Sequence, residues 1–158
     1  MTFVIIFLLL IVSLFSIAFM TKRRFGVLGL ALAAGSILST LWVGDLTPII
    51  AQAGFVLVRP PLESVVAVML TLLPALLLLT SGPSYVSSRQ RVIGALLFAV
   101  LATVFMLESL GSALVIEGVG KQVFDFLTAN RVIIITTCLV IAIFDLWVAK
   151  TPKIPSKH

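Results

Sequence analysis

Residues 2–20 read TFVIIFLLLIVSLFSIAFM, nineteen positions without a charge, and Thr21, Lys22, Arg23 and Arg24 follow at once. About 20 apolar residues in a helix cross the roughly 30 Å hydrocarbon core of a bilayer. A secretory signal peptide carries its positive charge before the apolar run. Here the charge comes after it, so the run reads as a retained transmembrane helix with its N-terminus outside.

The rest of the chain agrees with this first run. Of 158 residues, 61% are hydrophobic and 11% charged, and the mean hydropathy is +1.27. Soluble domains are about 45–50% apolar and about 25% charged. Eleven Lys and Arg with six Asp and Glu cannot clothe a soluble surface, so a soluble enzyme is excluded as a class. The fold class expected is all-α, a polytopic membrane protein with residues 1–149 as one transmembrane helical domain. Its five spans lie at about 2–20, 25–43, 64–80, 92–111 and 132–149. Residues 150–158 follow as a flexible basic tail.

Between the spans the chain carries punctuation. Gly44-Asp45-Leu46-Thr47-Pro48 closes the second span. Pro48 to Val58 is apolar but too short to cross, and reads as an interfacial or re-entrant piece stopped by Arg59-Pro60-Pro61. Pro74 sits near the middle of the third span, where it removes a backbone donor and favours a kink. Ser81-Gly82-Pro83-Ser84-Tyr85 breaks the chain before the fourth span. In residues 119–130, Val119, Val123, Phe124, Phe126 and Leu127 alternate at helical spacing with Lys121, Gln122, Asp125 and Thr128, the pattern of an amphipathic helix lying in the interface. Trp147, near the end of the fifth span, suits the headgroup region.

Small residues recur along the helices. Ala31, Gly35 and Ser39 share one face of the second span, with Gly26 and Gly29 nearer its start. Gly94, Ala95 and Ala99 recur in the fourth. Such faces let helix backbones approach closely in lipid, within one chain or between copies or partner membrane proteins. Spans one and two are expected to form a tight hairpin, as are three and four. Thr40, Thr71, Thr103, Thr136 and Thr137 lie within spans and read as structural, their hydroxyls bonding the preceding turn.

The net charge is +5 and the pI about 10.0. The basic residues flank apolar runs, so they point to anionic headgroups rather than to nucleic acid. With five crossings, Lys22, Arg23, Arg24, Arg89, Arg91, Lys150, Lys153 and Lys157 share one side, against Arg59, Lys121 and Arg131 on the other. The positive-inside rule puts the first group in the cytoplasm. The C-terminus is then inside, and Lys22, Arg23, Arg24, Arg89 and Arg91 form a candidate cytoplasmic basic cluster.

Few residues could carry chemistry. One cysteine, Cys138, and one histidine, His158, stand far apart, which excludes the usual zinc patterns and a Ser-His-acid set. No catalytic, cofactor-binding or metal-ligating residue is assigned and no cofactor is expected. Glu108 and Asp145 are the intramembrane acids, and an ionisable group within a span is a functional candidate because hydrocarbon disfavours it. Glu108 can pair with Arg131 or take water. Asp145 can pair with Arg23, Arg24, Arg89 or Arg91. The two acids are roughly 15–20 Å apart in depth at about 1.5 Å per residue, too far to share a proton.

Arg23-Arg24-Phe25-Gly26-Val27-Leu28-Gly29, a Pro-bearing outer loop, and Arg91-Val92-Ile93-Gly94-Ala95-Leu96-Leu97 occur in that order. Over about residues 2–112 this resembles the colicin V production protein family of small bacterial inner-membrane proteins. The acidic residues that the family usually carries in its first span and just before the fourth-span Gly-Ala-Leu are absent here. The resemblance implies an accessory role in envelope homeostasis or toxin production, and no catalytic residues. Three functions compete: a non-enzymatic membrane scaffold or accessory protein, a channel or transporter subunit with Glu108 in an outer vestibule, and a lipid-modifying membrane enzyme.

Overall fold

The computed structural model describes residues 2–148 apart from 56, 58–59, 81–82, 86, 114–115 and 117; the expected tail and Arg59 lie outside the described residues. Six helices account for most of it: α1 Thr2–Thr21, α2 Phe25–Gln52, α3 Leu62–Leu79, α4 Ser88–Ala113, α5 Val119–Ala129 and α6 Arg131–Trp147. Four of them, α1 to α4, are long and apolar enough to cross a membrane. The pair α5 and α6, bent by 60° at Asn130, makes a fifth if taken as one span. Alone, the 17 residues of α6 reach about 25 Å, short of the roughly 30 Å core.

The second span is longer than the sequence suggests. Gly44 to Pro48 does not end it: α2 runs 28 residues, with Pro48 inside. An interior proline removes one hydrogen bond and need not terminate a helix. The hydroxyl of Thr47 donates to the Val43 carbonyl at 2.7 Å in the turn just before it. The true stop is Gly54, in the left-handed region at φ +96. There the Gly54 N–H donates to Ala51 O at 3.1 Å and the Phe55 N–H to Ile50 O at 3.4 Å, the pairing that closes a helix on a glycine. Residues 48–52 are therefore the last turn of α2, not a separate re-entrant piece. The fourth span also extends beyond its expected ends, to Ser88 and Ala113.

The α1/α2 hairpin expected from the sequence does not form. The chain reverses within three residues, with Lys22 at φ 57, but α1 packs on α4 while α2 packs on α3, α6 and α4; α3 and α4 do meet. The small residues explain the choice. On α2, Gly35 abuts the backbone of α3, where a Cβ would run into the Thr71 carbonyl and lie 3.0 Å from Leu70 O. Leu70 is four residues before Pro74, so its carbonyl is the one that the proline leaves without a helical donor. Gly26 and Gly29 abut α6: a Cβ at Gly26 would lie 2.5 Å from Ala142 O, and one at Gly29 3.1 Å from Ala142 Cβ. With these faces spent on α3 and α6, α1 seats Leu14 and Ala18 in the same buried cluster as Ala95 and Ala99 of α4.

The centre is closed by Phe25, Leu28, Leu32, Phe98, Leu101 and Ala142, all essentially inaccessible. Apolar side chains such as Leu8, Leu9, Ile37, Leu77 and Ile143 cover the outside, as expected where the solvent is lipid and helices associate by close packing.

Candidate functional site

The basic end of the bundle is a structural knot. The turn carrying Lys22 and Arg23 pairs with the segment before α4: Tyr85 N–H donates to Lys22 O at 2.8 Å and Arg24 N–H to Pro83 O at 3.1 Å. Arg23 caps the C-terminus of α3, its Nε donating to Leu79 O at 3.1 Å and its Nη2 to Thr80 O at 2.8 Å. Asp145 meets Arg24 among the four candidate partners, with Nη1 at 3.8 Å from Oδ1 and donating to the Asp145 backbone carbonyl at 3.0 Å. Its Oδ2 accepts the Gly26 N–H at 2.9 Å. A carboxylate in the last turn of α6 opposes its own helix dipole. It is held there because it caps the N-terminus of α2, where a negative charge is favoured.

Tyr85 completes the cap, its hydroxyl accepting the Phe25 N–H at 3.1 Å with the Arg24 guanidinium 5.5 Å from its ring centroid. Gly94 leaves room for that ring, since a Cβ there would come within 2.6 Å of it. Burial, reinforced by the neighbouring Asp145 carboxylate, pushes the Tyr85 hydroxyl up to about 12, although the Phe25 N–H and Arg24 act the other way. Arg91 lies 3.7 Å over the Phe19 ring, while Arg89 and Lys22 stand exposed. The five basic residues thus share an end of the bundle but are not gathered around one pocket.

The opposite end is different. A cleft of about 540 Å³ opens between α2, α3 and α4, lined by Ser39, Thr40, Val43, Gly44, Pro61, Glu63, Ser64, Ala67, Glu108, Ser109 and Ser112. A recess of about 140 Å³ continues from it, lined by Ser36, Ser39, Thr40, Ala67, Thr71, Phe105, Glu108, Ser109 and Arg131. Glu108 accepts from Arg131, the first residue of α6, and its side chain remains 75% exposed. At about 1.5 Å per residue, Thr71 lies roughly 12–14 Å from either end of α3. The recess therefore carries hydroxyls to the middle of that helix.

The sequence leads to Glu108 and to its Arg131 partner, but not to the cleft. Ser36, Ser64, Ser109, Ser112 and Glu63 go unmarked, and Ser39 reads only as a packing residue. Ser36, Ser39 and Thr40 at i, i+3, i+4 on α2, and Ser109 and Ser112 at i, i+3 on α4, were the available signal. Thr40, Thr71 and Thr103 bond the preceding turn, with Oγ1 donating to Ser36 O, Ala67 O and Ala99 O at 2.9, 2.8 and 2.7 Å. Thr40 also lines the cleft, and Thr40 and Thr71 line the recess. Among the described residues no three His, Cys, Asp or Glu side chains come together to hold a metal ion.

Comparison with known proteins returned no similarity: no family model matches the chain, and neither a curated protein nor a solved structure matches it.

Proposed function

We propose that the protein is a five-span protein of the bacterial inner membrane, N-terminus outside and C-terminus in the cytoplasm, whose cleft binds a small polar solute from the outer side as a channel or transporter subunit. One observation carries this reading: the hydroxyl-lined cleft and recess that descend from Glu63 and Glu108 to Ser36 and Thr71. Hydroxyls and carboxylates are disfavoured in hydrocarbon, and within spans they face protein or a water-filled cavity. Here they converge on one space while the surrounding surface is apolar. Beneath Ser36 and Thr71 the packing of Leu32, Phe98 and Leu101 closes the way. The cleft is therefore a one-sided vestibule, and passage requires α2 and α4 to part below it.

A second reading is a non-enzymatic accessory protein of the kind implied by the colicin V production family. It is favoured by α5, whose Val119, Val123 and Phe126 side chains are exposed. They form an apolar face for the interface, another copy or a partner membrane protein. On the cytoplasmic side the basic residues meet anionic headgroups in either reading. A lipid-modifying enzyme has the least support, since among the described residues no three His, Cys, Asp or Glu side chains come together to hold a metal ion.

The test is a Glu108→Cys substitution in a Cys138→Ser background, reconstituted in vesicles and exposed to a charged thiol reagent on each side. Rapid labelling from one side, with altered small-solute flux, supports the vestibule. Slow labelling with no flux in either state overturns it in favour of the accessory reading.

A further inference from the structure

We propose that the cleft is selective for a small monovalent cation, an ammonium ion or a hydrated alkali ion. The inference rests on the reading of the cleft as a water-filled vestibule and adds the charge of its ligand. Three features of the wall point to it.

First, the lining holds two carboxylates, Glu63 and Glu108, against one guanidinium, Arg131, a formal charge of −1 in a chain whose net charge is +5. Arg131 pairs with Glu108, which leaves the Glu63 carboxylate without an ion pair among the described residues. Second, three hydroxyl protons of the wall are turned away from the space. Ser36 donates to Ala33 O at 2.9 Å, Thr40 to Ser36 O at 2.9 Å and Thr71 to Ala67 O at 2.8 Å. A hydroxyl has one proton and two lone pairs. Once the proton is committed to the backbone, only acceptor capacity remains for the cleft. Acceptors at these three positions suit a cation or an N–H donor better than an anion. Third, Ser39 is only 9% exposed, lines both the cleft and the recess, and makes no hydrogen bond among the described residues. Its oxygen is open to these spaces, and a polar group this enclosed normally finds a partner. Ser39, at the junction of the two spaces, takes its partner from what fills them.

The test places Ser39→Cys in the Cys138→Ser chain, reconstituted in phosphatidylcholine vesicles. It compares methanethiosulfonates bearing ethylammonium, ethylsulfonate or neutral hydroxyethyl groups, with rates normalised to those of a free thiol. Ser109→Cys is the second position should the first fold poorly. The expected result is a cationic reagent about tenfold or more faster than the anionic one, the scale of charge focusing in a cleft. Adding Glu63→Gln should shrink the ratio, and methylammonium chloride should slow the neutral reagent. Slowing by sodium chloride as well, against a choline chloride control of equal ionic strength, identifies an inorganic-cation site. Slowing by methylammonium alone identifies an organic ammonium site. Labelling by the neutral reagent with a ratio near one, or in favour of the anion, overturns the cation proposal and leaves the vestibule intact. So does labelling that neither salt slows. Failure of the neutral reagent at both positions overturns the vestibule itself.

Discussion

Replacing Gly35 with alanine tests the contact that orders the bundle. A Cβ built at Gly35 would penetrate the Thr71 carbonyl, lie 2.8 Å from its carbon and 3.0 Å from Leu70 O. These atoms are backbone and cannot swing aside, so α2 and α3 must separate by about an ångström or more to restore ordinary contact. Overpacking of this kind costs about 1–3 kcal/mol, offset by about 1 kcal/mol because alanine is the better helix former. Gly44→Ala is the matched control. It lies on the same helix with nothing within 4 Å of its built Cβ, so it should gain roughly the propensity term alone. The two variants should differ by about 1–3 kcal/mol in reversible unfolding from mixed micelles. Equal stability of Gly35→Ala and Gly44→Ala would refute the α2/α3 crossing at this point, and with it the wall of the cleft.

Other expectations follow from the two ends of the bundle. Tyr85 is the only tyrosine, so absorbance near 295 nm reads its ionisation directly, with a midpoint near 12 rather than 10.0. Because the folded value lies above the unfolded one, the folded state holds its proton longer. The Tyr85 contribution to stability is complete below pH 10 and is lost as pH rises from about 10 to 12. A midpoint near 10 in the folded protein would contradict the buried cap. Asp145→Ala removes the acceptor of the Gly26 N–H and should destabilise by about 1–2 kcal/mol, whereas Asp145→Asn, which retains an acceptor oxygen, should lose less in the same unfolding assay. The Glu108–Arg131 pair is largely exposed. A double-mutant cycle with Glu108→Gln and Arg131→Gln should return a coupling below about 1 kcal/mol, weakening with salt.

Hydrophobic runs made the helices legible, because span length and apolar content are properties of contiguous residues. The runs expected at Thr2–Met20 and Val119–Asn130 read nearly as they fold, and the helix expected from Val132 is described from Arg131 to Trp147. The end of α2 did not, because Gly44 and Pro48 carry a breaker's composition while the geometry that closes a helix sits at Gly54. Pairing was less legible still. Adjacent helices were expected to pack, but Gly26, Gly29 and Gly35 commit α2 to α6 and α3, and a sequence does not state which glycine meets which backbone. The ion pairs were readable to the level of a short list of partners. Arg24 was singled out for Asp145 by the cap that the carboxylate makes on α2. The cleft was the least legible feature, since its serines come from separate helices and each taken alone looks like an ordinary residue of a membrane helix.

In the proposed vestibule, water reaches the middle of the bundle along this cleft. Ser36 and Ile37 are neighbours on α2: Ser36 lines the recess, and Ile37 is 61% exposed on the apolar outside. Cysteine would be placed at each position in turn in the Cys138→Ser chain, in vesicles, with a membrane-impermeant maleimide added to one side at a time. Position 36 should be labelled from the Glu63 side alone, and position 37 should be protected from both sides. Equal protection at the two positions would contradict the vestibule, because the recess would then be as dry as the lipid.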